Sequence, residues 1–192
     1  MEEICVGIDL SAKPENPSGW AKLVKLSENF RIDTRLLYRD EEIISHTLKF
    51  CPLIVAIDAP LSLPKPNVHF RKAEIELRKL GVSALPLSFR SIQTLSIRGY
   101  TLAENLRSRG IKVIEVYPNA TRSILSLPSK KAEFRVQHLQ KLGLETRKKY
   151  LTHHEVDAIL SAYTAWLYVN GKAEKLGNEG EGEIVIPKSN LD

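Results

Sequence analysis

Two short stretches decide the fold, Ile4-Cys5-Val6-Gly7-Ile8-Asp9 and Leu53-Ile54-Val55-Ala56-Ile57-Asp58. Each is an apolar run rich in β-branched residues that stops at an aspartate. Runs that are apolar on both faces belong to strands in the middle of a parallel sheet. An ionised carboxylate at the end of such a strand sits beside a packed core, which costs several kcal/mol unless the charge is paired or binds a cation. Two more acids follow the same logic: Glu115 after Lys112-Val113-Ile114, and Asp157 in His153-His154-Glu155-Val156-Asp157. Three strand-borne acids and one at a helix start point to a shared carboxylate cluster that holds a metal ion.

Working outward from these strands, residues 10–19 form a turn around Pro14, Pro17 and Gly19. Residues 20–26 and 30–38 form a hairpin, in which Arg31, Asp33 and Arg35 alternate with Ile32, Thr34 and Leu36 to leave one face wet. Residues 41–50 carry apolar side chains at helical spacing and supply the crossover to the strand ending at Asp58. Pro60, Pro64 and Pro66 then fix a stiff loop from Ala59 to Asn67. Helices are expected over 70–80, closed by Gly81, and over 100–109, closed by Gly110, with 82–98 irregular between them. Lys112–Val116 is a fifth strand, followed by short helices over 119–125 and 130–142 and a basic connector over 143–151. Thr152 and Glu155 have the spacing of a capping box, and Val156, Ile159, Leu160, Tyr163 and Leu167 mark the buried stripe of a last long helix. The tail from Gly171 to Gly182 is turn-rich, and Ile184–Pro187 is expected as a terminal edge strand.

At 192 residues the chain suits one well-buried domain, residues 1–192. A net charge of +5 is compatible with an anionic partner such as nucleic acid. Cys5 and Cys51 form no disulfide framework and no metal-type spacing, although the two strands they precede or enter lie side by side and would permit a cross-strand disulfide. The start of the chain has no basic region followed by an apolar stretch, and no run reaches the roughly 20 apolar residues of a membrane span. A cytoplasmic protein is expected.

Three antiparallel strands, a helix, and then two parallel strands give the order of a ribonuclease-H-like α/β fold, a mixed sheet flanked by helices. Neighbouring strands lie about 4.8 Å apart, so acids at the carboxyl ends of the first and fourth strands project into one crevice. A site of oxygens without thiolate suits Mg²⁺ or Mn²⁺, and two such ions could activate water and stabilise a leaving oxygen in phosphodiester hydrolysis. On this reading Asp9 bridges two ions, Asp58 and Glu115 complete their shells, and Asp157 holds one of them from the last helix.

The chain also resembles a known family. The matching stretches are Gly7-Ile8-Asp9-Leu10-Ser11, Ala56-Ile57-Asp58-Ala59-Pro60-Leu61, Arg71 with Leu77-Arg78 and Gly81, and Arg98-Gly99 with Leu102-Ala103. They continue with Glu115-Val116-Tyr117-Pro118 and Ala120, His154-Glu155 with Asp157-Ala158, and Leu176-Gly177 with Ile186-Pro187. In this order they resemble the domain-of-unknown-function family 429, regarded as predicted nucleases of the ribonuclease-H-like superfamily. Glu74 departs from the pattern, where aspartate is expected.

Bland readings stand beside these. A lone aspartate after a strand is commonly a turn former, and an acid in the first turn of a helix gains from its dipole, which covers Asp157; the capping box already accounts for Glu155. His154 is a candidate for moving a proton or touching a phosphate, ahead of His153. Arg71, Arg78 and Arg98 are candidates for holding phosphates, although Arg71 and Arg78 lie one heptad apart, as on a solvated helix face. Lys130, Lys131, Arg135, Lys141, Arg147, Lys148 and Lys149 form a basic stretch without interleaved aromatics, which supports backbone attraction at most. Gly-Ile-Asp-Leu-Ser also resembles the first phosphate motif of actin-like sugar kinases, but those enzymes need two lobes and a second Gly-rich loop, and the chain is too short for both. A non-catalytic nucleic-acid-binding scaffold is the remaining alternative.

Overall fold

The structure is a computed structural model that describes residues 3–62, 69–128, 134 and 136–190. Its centre is β1 (Ile4–Asp9), hydrogen-bonded on one side to antiparallel β2 (Ser18–Lys25) and on the other to parallel β4 (Ile54–Asp58). β3 (Phe30–Leu37) extends the sheet beyond β2, and β5 (Lys112–Val116) extends it in parallel beyond β4. Three further strands, β6 (Leu144–Thr146), β7 (Ala173–Asn178) and β8 (Gly182–Pro187), complete an eight-stranded sheet in the order β6-β3-β2-β1-β4-β5-β8-β7. The first five strands read from the sequence lie side by side in its middle, with the sixth, at Ile184–Pro187, next to β5.

Alternation along the strands sorts side chains into two packed layers. Cys5, Ala21, Leu23, Ile54, Ala56, Ile114 and Val116 meet α6 (His153–Val169) on one face. Val6, Ile8, Val55, Ile57 and Val113 meet α1 (Asp40–Leu48) and α3 (Arg90–Arg107) on the other. A third cluster joins α2 (Lys72–Lys79) and α4 (Pro118–Ile124) to β8. α5 (Val136–Gln140) lies just before β6. α6 starts as the capping box predicts, with the Thr152 hydroxyl accepting from the Glu155 amide and the Glu155 carboxylate accepting from the Thr152 amide at 2.9 Å.

Four expectations are corrected. The second half of the segment expected to be irregular, from Arg90 onward, is continuous with the following helix as α3. Its buried stripe runs through Ser96, Arg98 and Gly99, so the face pressed against the sheet does not read as apolar. Gly99 is needed there because a Cβ would stand 2.9 Å from the Ala59 Cβ and 3.0 Å from the Pro60 oxygen. Half of the turn-rich tail is β7, and β8 is not an edge strand: it pairs in parallel with β5 and carries β7 outside it. The connector over 143–151 contains β6, which pairs in parallel with β3. The cysteines are free, Cys5 buried and Cys51 exposed, and burial, reinforced by Glu3, pushes the Cys5 thiol up to about 12. Pro64, Pro66, Lys130, Lys131 and Arg135 lie outside the described residues. Among the described residues no helix is long and apolar enough to cross a membrane.

Candidate active site at the carboxyl ends of β1 and β4

Asp9 and Asp58 are direct partners in the parallel β1–β4 register. Side chains opposite each other in register leave the sheet on the same face, so both carboxylates emerge side by side at the strand ends. They emerge on the face covered by α6, which Gly7 and Gly19 admit to unusually close range. A Cβ on Gly7 would lie 2.1 Å from the Ala158 oxygen, and one on Gly19 would lie 1.9 Å from the His154 oxygen. The first turn of α6 therefore rests on β1 and β2, and His154 Nδ1 stands 2.7 Å from Asp9 Oδ2. His153 packs its ring against that of His154, with centroids 3.9 Å apart.

Glu115 is placed differently. Its register partner is Ile57, one residue short of Asp58, so it leaves the sheet on the opposite face. There it is buried and bound by Arg71, through Nη1 to Oε2 at 3.0 Å and a second contact from Nη2 to Oε1, while the Leu61 amide donates to Oε2 at 2.8 Å. Arg71 also grips Glu74, from Nε to Oε1 at 3.0 Å and through Nη2. Burial, helped by the Glu74 charge, pushes the Glu115 carboxyl above the usual range against the pull of Arg71. Asp157 lies on α6 one turn beyond His154, buried and ion-paired with Arg122 of α4, itself only 2% exposed.

Among the described residues no group of three His, Cys, Asp or Glu side chains is arranged to hold a metal ion. The four-carboxylate, two-ion cluster expected from the sequence is thus not assembled, because two of its acids are engaged by buried guanidiniums. Asp9, bound to His154, and Asp58 share one face and are both partly exposed, and a pair of carboxylates with water completing the shell is a common way to hold Mg²⁺. This pair fits one hard divalent cation.

The arginines expected to hold phosphates serve the scaffold or face away from it. Arg71 is 1% exposed and consumed by the acids around it. Arg98 ties three elements together, donating to the Ser11 oxygen at 2.7 Å, the Tyr38 oxygen at 2.5 Å and Asp40 Oδ1 at 2.8 Å. It thereby fixes the turn that follows Asp9. Arg78 is exposed and lies over the Phe70 ring at 4.3 Å. Lys148 of the basic stretch pairs with Glu155, which also accepts from Thr34 Oγ1 at 2.7 Å.

A cavity of about 240 Å³ opens beside the aspartate pair. Asp9 and Asp58 line it together with the apolar side chains of Leu77, Ala84, Leu87 and Leu95 and with Tyr117 and Asn119. The wall formed by 82–87 is pinned twice, by the Tyr117 hydroxyl donating to the Ser83 oxygen at 2.8 Å and by the Leu87 amide donating to the His69 oxygen at 2.9 Å. Arg122 and Tyr117 were not singled out in the sequence, where an arginine inside Asn-Ala-Thr-Arg-Ser reads as surface and a tyrosine before proline as a turn. Only the opposite charge of Asp157, 35 residues away, hints at Arg122.

A mixed sheet with helices on both faces and paired acids at adjoining strand ends defines the class, and the chain belongs to the family described as protein of unknown function (DUF429), whose profile matches residues 7–181. No curated protein sequence matches it. Among solved structures it is similar to RuvC of T. thermophilus in complex with a Holliday junction substrate, with a TM-score of 0.54 and 15% identity over 88% of this chain and 96% of that one. A further Thermus thermophilus RuvC structure gives a TM-score of 0.52 with the same identity and coverage. At this identity the likeness is one of fold, and the fold is ribonuclease-H-like.

Proposed function

We propose that this protein is a divalent-metal-dependent nuclease that hydrolyses phosphodiester bonds of nucleic acid, with Asp9 and Asp58 as the ligands of Mg²⁺ or Mn²⁺. The observation that carries the proposal is the in-register pairing of these two aspartates at the carboxyl ends of central parallel strands, where open α/β sheets place their ligands. When bound, the cation would lower the pKa of a coordinated water and offset the charge of the phosphodiester.

The chain's own groups hold this pair in place. His154 holds Asp9 by its bond to Oδ2 and is placed to carry a proton to or from the reacting oxygens. Asp157, held by Arg122, and Glu115, held by Arg71, act as positioning residues: the first anchors the start of α6, and the second orders the chain after Asp58 through the Leu61 amide. Arg98 does the same for the turn after Asp9.

The test is cleavage of single-stranded and duplex DNA, RNA, hybrid and four-way-junction substrates with Mg²⁺ or Mn²⁺, comparing wild type with Asp9→Asn and Asp58→Asn. Metal-dependent cleavage lost in both variants supports the reading. Equal cleavage by all three proteins, or binding of nucleic acid without cleavage of any substrate, overturns it, the second outcome leaving a scaffold.

A further inference from the structure

The cavity beside the aspartates is larger than a cation and water require, and most of its wall is apolar. Leu77, Ala84, Leu85, Leu87, Ile92 and Leu95 line it alongside Asp9 and Asp58. Glu74 and Glu115 also border it but turn onto Arg71, whose positive charge offsets part of theirs. Tyr117 and Asn119 supply further polar atoms. At about 240 Å³ it falls below the roughly 300–1,000 Å³ of sites for drug-sized ligands, so it suits a single flat ring system. Its wall is held by the Tyr117 and Leu87 hydrogen bonds, so the space is preformed.

An apolar slot that opens at a phosphodiester-binding pair of carboxylates matches one occupant, the base of the nucleotide whose phosphate lies at that pair. We propose that the cavity receives one unstacked nucleobase, so that the substrate carries an unpaired nucleotide beside the scissile bond. This inference rests on the nuclease reading and narrows it to single-stranded, bulged or branched nucleic acid. A continuous duplex would have to extrude the base, at a cost of a few kcal/mol. Recognition by an apolar wall is tolerant of base identity, so cleavage depends on an unpaired base and only weakly on which base it is.

Two readouts test the proposal. In Mg²⁺, a duplex with one unpaired nucleotide should be cleaved at least tenfold faster than the fully paired duplex, and replacing that nucleotide with an abasic residue should remove the advantage. In EDTA, where no turnover occurs, a short single strand bearing 2-aminopurine should change fluorescence on binding wild type. Ala84→Phe and Ile92→Phe, which fill the cavity from two different elements, should abolish both the advantage and the fluorescence change while leaving Mn²⁺ binding at the aspartates, read by electron paramagnetic resonance, as in wild type. Cleavage indifferent to the unpaired base, with fluorescence responding equally to wild type and filled variants, overturns the slot and leaves the nuclease standing. If no substrate is cleaved, the nuclease reading fails, and the fluorescence comparison alone decides whether the cavity takes a base.

Discussion

At the scale of single residues, parity decides which acids act together. Asp9 and Asp58 share a face because they share a register line, and Glu115 misses that face by one residue. The sequence shows all three acids at strand ends, but it does not show register, and a one-residue offset sends a side chain through the sheet. Arg71 makes the consequence testable, since it is the shared partner of two buried acids. Arg71→Met should cost about 3–5 kcal/mol by stranding buried charge, and adding Glu115→Gln should restore part of that loss. Urea denaturation of the single and double variants measures both effects. Glu155 gives a pH dependence. Burial opposes its charge, yet Lys148, the Thr152 amide and the hydroxyls of Thr34 and Thr152 hold its pKa at about 2, below the ordinary 4.5. A carboxyl depressed in the folded state stabilises above its unfolded pKa and loses that contribution as it protonates. Stability should therefore fall as pH drops from 4.5 toward 2, and Glu155→Gln should be less stable at neutral pH and flatter across that window in chemical denaturation.

At the scale of elements, α6 was legible and its docking was not. The capping box sets its start, as the structure bears out, whereas the apolar stripe understates its burial, because nearly every residue from Glu155 to Leu167 is covered. What brings it down on the sheet is the absence of side chains at Gly7 and Gly19, a signal that a glycine in a strand gives only ambiguously. Gly7→Ala should displace α6 and lower stability by at least about 1–3 kcal/mol, the usual cost of overpacking, with thermal unfolding as the measurement. Gly19→Ala should move the His154 backbone and reduce cleavage more than it reduces stability. α3 and β7 were hidden for opposite reasons. The buried face of α3 carries Arg98, Gly99 and Ser96 because it meets polar backbone of neighbouring loops, and β7 is a half-exposed edge ribbon whose Ala-Glu-Lys-Leu-Gly-Asn has no strong alternation.

At the scale of the whole molecule, the order of elements was enough to name the fold, because three antiparallel strands followed by a crossover and two buried parallel strands leave few arrangements. The outer strands added to both edges enlarge that sheet without moving its functional end. The proposed site is smaller than the sequence suggested: one pair of aspartates with a histidine, beside two buried arginine–carboxylate assemblies. Electron paramagnetic resonance of Mn²⁺ titrated into the protein tests this most directly, because it counts bound ions without requiring a substrate. Wild type should bind Mn²⁺, Asp9→Asn and Asp58→Asn should each lose it, and Glu115→Gln should keep it. Binding that survives loss of either aspartate, or that vanishes with Glu115→Gln, would contradict the account.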